Sequence, residues 1–202
     1  ILERLDRLFV DRLGPDHPDA LGVDFRRGLV AAGQGRHAQA AEAFRRAYDG
    51  WGRALGERHG LTVLAGSELA RSLARTGDRE RANALLARLQ LAGRRSMVGW
   101  DARAIDIQEL WVETLVQLGR PEDASRVLAA YLKLATEVLP EQHPRLATAR
   151  CYESQIATLR GRLDEAGSAL SACRLGLARL AADDYRRRAL ADAEQAADGS
   201  VP

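Results

Sequence analysis

The chain is predicted to be an all-α solenoid of antiparallel helix pairs, and three observations carry that expectation. A Gly-x4-Ala frame at Gly35 and Ala40 returns at Gly77 with Ala82, Gly119 with Ala124 and Gly161 with Ala166, in strict steps of 42 residues. Periods of about 20–50 residues mark arrays of stacked supersecondary units. Behind each glycine, apolar residues follow at three- and four-residue spacing, the mark of one buried helix face. Aromatics make up only 5% of the chain while Ala, Leu and Arg dominate, which suits helices packed through small residues better than strands.

Residues 1–12 carry Leu2, Leu5 and Phe9 at helical spacing, and one period maps Leu2 onto Phe44 and Leu5 onto Ala47. They are expected to be the second helix of a truncated repeat, so the sequence reads as part of a longer chain. Repeat one, 13–54, opens with Leu13-Gly14-Pro15-Asp16-His17-Pro18. Pro18 fits a first helical turn, and Asp16 or His17 can cap it. Gly33 to Gly35 end that helix, since glycine takes the left-handed conformation readily. A second helix near 36–54 then buries Ala40, Phe44, Ala47 and Trp51.

Repeat two, 55–96, opens at Leu55-Gly56-Glu57-Arg58-His59-Gly60, with helices expected near 61–75 and 78–92 and a buried stripe of Ala82, Leu86 and Leu89. Repeat three, 97–138, departs from the pattern at its entrance, Met97 to Ala102, yet keeps Ala124, Leu128 and Tyr131 in register, with Pro121 starting its second helix. Repeat four, 139–182, restores the entrance at Leu139 to Pro144 and places Ala166, Leu170 and Cys173 in the stripe. Residues 183–197 are charged and suit a capping helix, since terminal repeats need a polar outer face. A frayed tail, 198–202, follows, and 1–197 are expected to form a single domain.

A net charge of +2 from 30 basic and 28 acidic residues, with Lys133 the only lysine, describes a solvated surface of local ion pairs rather than a nucleic-acid footprint. No run reaches the roughly 18 apolar residues of a membrane span, and no secretory leader opens the sequence. A cytoplasmic setting is expected, although Ile1 is not a start methionine and a targeting signal could lie upstream. No nucleophile elbow, zinc-protease helix motif or phosphate-cradling loop occurs, and the recurrent glycines are turn glycines. No enzyme activity, cofactor or metal is expected.

His17, His59 and His143 occupy one repeat position. Translation along an array keeps three such imidazoles apart, so each is read as bonding backbone at a helix entrance; His37 is read as surface. Cys151 and Cys173 form no disulfide framework and no metal spacing. Antiparallel helices bring them to about the same height, which leaves a disulfide or redox switch conceivable. Because Cys173 stands in the slot of Ala47, Leu89 and Tyr131, a packed small hydrophobe is the expected role.

The Gly-x4-Ala turn, the aromatic or Leu four residues on and the small or apolar residue three beyond resemble the turn and second helix of tetratricopeptide (TPR) repeats. The 42-residue period and the Leu-Gly-x-x-His-Pro entrance resemble the kinesin-light-chain-type subclass, common in bacterial multidomain proteins; the likeness covers about residues 1–182. It implies a right-handed superhelix whose first helices line a concave groove for a peptide, a helix or another domain. It also implies a bacterial TPR domain from a larger chain. The subclass often carries Asn-Asn-Leu-Ala in its first helix. Here those places hold Phe25-Arg26-Arg27-Gly28, Ser67-Glu68-Leu69-Ala70, Glu109-Leu110-Trp111-Val112 and Cys151-Tyr152-Glu153-Ser154.

Positions ten and six before each turn glycine are expected to face that groove. They are Phe25 and Leu29, Ser67 and Arg71, Glu109 and Glu113, and Cys151 and Gln155, with Arg75 and Asp106 near the same face. The run from apolar through basic to acidic could read an amphipathic helix of opposite charge order; a solvated face of neighbouring ion pairs is the plainer reading. Trp111 is assigned to the core and Trp51 to the joint between repeats. Trp100, beside Arg94 and Arg95, is the candidate exposed hot spot, unless it folds back over a repeat joint.

The expected function is a non-catalytic scaffold binding a partner protein, a peptide or an intramolecular domain in the groove, with no nucleic acid or membrane partner. The alternative is a ligand- or peptide-sensing regulatory domain controlling an attached effector domain. Self-association through the uncapped first helix is a third possibility, and the oligomeric state stays open.

Overall fold

Each helix pair turns where a glycine permits it. Gly35, Gly77, Gly119 and Gly161 have φ of 74°, 84°, 67° and 70°, the left-handed region that a side chain would resist. In all four the glycine N–H returns to the carbonyl three residues back, as Gly77 to Ala74 at 3.1 Å, while the next residue's N–H returns five back, as Asp78 to Leu73 at 2.9 Å. That pair of bonds is the Schellman helix end, which satisfies carbonyls left open by the last turn.

The structure, a computed structural model, describes residues 9–14, 16–96, 103–181, 184 and 186–199. Its helices are α1 Pro18–Gly33, α2 His37–Leu55, α3 Gly60–Arg75, α4 Arg79–Ser96, α5 Arg103–Gln117, α6 Pro121–Val138, α7 Pro144–Leu159, α8 Leu163–Leu177 and α9 Arg187–Ala197, preceded by helical residues 9–13. No strand occurs among the described residues, so the chain is all-helical. The helix α4 runs to Ser96, past the expected end near 92, because a lone Gly93 without a following proline only weakens a helix. The helix α9 is described from Arg187, since Asp184 takes the Arg186 backbone N–H at 3.0 Å and holds a turn before it. The atypical entrance Met97 to Ala102, with Trp100, lies outside the described residues, as do 1–8 of the expected half-repeat.

The chain divides into two compact units, Ile1–Leu110 and Trp111–Pro202, with the boundary inside α5. In the first, α1 packs on α2, α2 on α3 and α3 on α4; in the second, α6 packs on α7, α7 on α8, and α9 on both α7 and α8. The second-helix stripes fill the cores: Ala40, Phe44, Ala47 and Trp51; Ala82, Leu86 and Leu89; Ala124, Leu128 and Tyr131; Ala166, Leu170 and Cys173 are all buried. Each Leu or Phe so buried contributes about 1.5–3 kcal/mol. Trp51 sits at a joint between successive pairs, clustered with Leu21, Ala47 and Ala65 and flanked by Phe25 and Tyr48. Its indole N–H donates to the Pro18 carbonyl at 2.9 Å.

Candidate functional site

Helix entrances are built on histidine. His17, His59 and His143 each precede a helix in extended conformation, and each Nδ1 accepts the backbone N–H two residues on, from Asp19, Leu61 and Arg145, at 3.2 Å. An imidazole that accepts must be neutral at that nitrogen. The three histidines are caps, and among the described residues no group of three or more His, Cys, Asp or Glu could hold a metal ion.

Two first helices, α3 and α7, each pack on the second helix before and the one after, and this changes which of their residues reach solvent. In α3, which packs on both α2 and α4, Ser67 and Glu68 are buried along with Val63, Ala65 and Leu69. Ser67, expected in the groove, instead donates its hydroxyl to the Val63 carbonyl at 2.8 Å. Phe25 is half-buried, its ring 5.4 Å from Phe44 and 5.5 Å from Trp51, so it belongs to the first unit's core. Glu109 is buried. Gln155 is buried too, and its amide donates to the Ala189 carbonyl at 3.2 Å, which holds α9 rather than a ligand. The ten-before-glycine register therefore points at neighbouring helices more than at solvent.

Leu29 is exposed at 41%, with Val30 beside it at 47%. Arg71 is half-buried and paired with Glu68 one turn earlier on α3. Arg75 and Asp106 are half-buried, and Glu113 accepts the Gln117 amide at 3.0 Å. In the second unit a shallow cavity of about 240 Å³ opens among α6, α7 and α8, with Leu128, Ile156 and Ala157 as apolar lining and Glu153, Arg160 and Glu165 as polar lining. Arg160 is held there by both oxygens of Glu122, at 3.0 and 2.6 Å. That hydrogen bond, ahead of the opposing effect of burial, holds the Glu122 carboxyl below its ordinary pKa.

The cysteines correct the sequence-based expectation. Cys151 on α7 and Cys173 on α8 are both fully buried, with Cα atoms 5.2 Å apart and sulfurs joined as a disulfide. Cys173 does fill the core slot, and it is also bonded. Small residues make the approach possible: a Cβ at Gly176 would lie 2.4 Å from that of Ala147, and the Ser154 hydroxyl donates to the Ala166 carbonyl at 2.9 Å. No helix is long and apolar enough to cross a membrane among the described residues.

Compared by sequence, the chain matches no family model and no curated protein. Compared by structure, it is similar to a Podosopora anserina protein described as a kinesin light chain with nearly identical TPR-like repeats, at TM-score 0.63 and 18% identity, covering 88% of this chain and 84% of that one. A point variant of the same protein matches at TM-score 0.66, with the same identity and coverage. At that identity the likeness establishes the fold, a TPR-like repeat of antiparallel helix pairs.

Proposed function

We propose that the chain is a non-catalytic interaction scaffold that binds a partner protein, a peptide or another domain of its own chain on the exposed face of its first helices. The observation that carries the reading is Leu29 with Val30. Two aliphatic side chains lie exposed near the end of α1 while every residue of the second-helix stripes is buried. Leu29 and Val30 are adjacent in sequence and form an apolar spot on which an apolar segment can dock, and a preformed helical face loses little ordering entropy on binding. The partner expected is therefore one that presents an apolar segment.

The test is Leu29→Lys with Val30→Lys. Exposed helical positions tolerate such changes within about 0.5 kcal/mol. A protein retained from native extract by the wild type and lost with this variant, at an unaltered melting temperature, supports the scaffold. The same retained proteins with both forms would remove this face from the proposal. A melting shift with low-molecular-weight extract alone would favour the ligand-sensing alternative.

A further inference from the structure

The helix α9 has little to hold it by itself. It is 11 residues long and buries only Ala189 and Ala193, and helices below about 12 residues are marginal without tertiary support. Its anchors sit on α7, α8 and the turn after α8. Gln155 donates to the Ala189 carbonyl at 3.2 Å, Arg174 Nε donates to Glu194 at 2.8 Å, and Arg187 donates to the Leu180 carbonyl at 2.7 Å. Cys151 lies one turn before Gln155, and Cys173 directly precedes Arg174. The disulfide thus joins the two turns from which α9 is held. Around it the α7–α8 contact includes the small residues Ala147, Ser154, Ala166 and Gly176, and Cys173 stands where Ala47, Leu89 and Tyr131 stand in the other repeats.

We propose that Cys151–Cys173 is a reducible clasp that governs the docking of α9, with a dithiol reductant as its chemical partner. A reductant thiolate attacks one sulfur, the Cys151–Cys173 bond breaks and a mixed disulfide forms. The second reductant thiol then displaces it and closes the reductant's own disulfide. Two electrons and two protons pass to the protein, which leaves with two thiols. With the bond broken, nothing covalent ties the turn carrying Gln155 to the turn carrying Arg174. Access to the bond depends on α9 in turn: both sulfurs are buried, attack requires α7 and α8 to open, and a docked α9 slows that opening. In an oxidising compartment the clasp stays closed; against a cytosolic thiol pool it opens.

Hydrogen exchange on the full chain, oxidised and after dithiothreitol, tests this. Reduction is expected to lower protection in Arg187–Ala197 by about tenfold or more while α1 to α3 keep theirs. Cys151→Ala with Cys173→Ala should show the lowered protection with or without reductant; if that variant does not fold, reduced wild type carries the comparison alone. Glu194→Ala, which loosens α9 without touching a sulfur, should speed reduction several-fold, read by thiol labelling and mass. Two free thiols in the oxidised protein under denaturant would overturn the clasp. So would unchanged α9 protection after confirmed reduction, or an equal loss across α6, α7 and α8.

Discussion

Two glycines in helix interiors carry opposite expectations. At Gly28 on α1, an added Cβ would lie 2.5 Å from the ring of Phe44, which is fully buried and has nowhere to retreat. Gly28→Ala should therefore destabilise by about 1–3 kcal/mol through overpacking. At Gly167 on α8 nothing lies within 4 Å of an added Cβ, so Gly167→Ala should stabilise by about 0.5–1 kcal/mol through helix propensity alone. Urea midpoints moving in opposite directions at unchanged m would bear out both; equal shifts would contradict the packing at Phe44. Arg71 is a poor probe of binding for a related reason. Reversing its charge would set a second carboxylate one turn from nearly buried Glu68, and a loss of binding would be confounded by a loss of stability.

Among the helices, entrances are where chemistry and stability meet. Burial first, and then the charges of Arg145 and Arg186, hold His143 below its ordinary pKa, so the neutral imidazole that caps α7 is the native form. A folded pKa below the unfolded one contributes stability that is full above the unfolded value, near 6.5. That stability declines as pH falls through the folded value. The urea midpoint should accordingly fall between about pH 7.5 and 5. His143→Asn, a capping residue that does not titrate, should flatten part of that decline, while His143→Ala should cost about 1 kcal/mol at neutral pH. An identical pH profile for wild type and the Asn variant would remove His143 as the titrating cap.

Across the described residues, the balanced charge goes into ion pairs, most of them within four residues in sequence and the rest between neighbouring helices and turns. Arg46 with Asp24 at 2.9 Å, Arg53 with Asp16 at 3.0 Å and Arg174 with Glu194 at 2.8 Å are examples. Most of these side chains are exposed, and such pairs contribute only about 0–1 kcal/mol each. Raising salt from about 0.05 to 0.5 M should lower stability by no more than roughly 1–2 kcal/mol, since screening reaches exposed pairs first. A larger loss would mean that electrostatics, not the buried stripes, hold the helix pairs together.

The sequence by itself determined the helices, their turns and their buried faces. These depend on interactions within about one helical turn: a glycine free to adopt positive φ, a histidine two residues before the N–H it caps, and an apolar residue every three or four positions. Repetition made the glycine and the apolar stripe legible four times, as with Ala40, Ala82, Ala124 and Ala166, and the histidine three times, at His17, His59 and His143. The tertiary structure alone decided what the first helices show to solvent. Whether Ser67 is buried or meets a ligand, and whether Gln155 meets Ala189, depends on how far neighbouring helices rotate and approach. The same holds for the cysteines. Counting residues put Cys151 and Cys173 at one height, but only the close contact of Gly176 with Ala147 and of Ser154 with Ala166 brought them to bonding distance. Those contacts join residues more than ten positions apart, and no local periodicity encodes them.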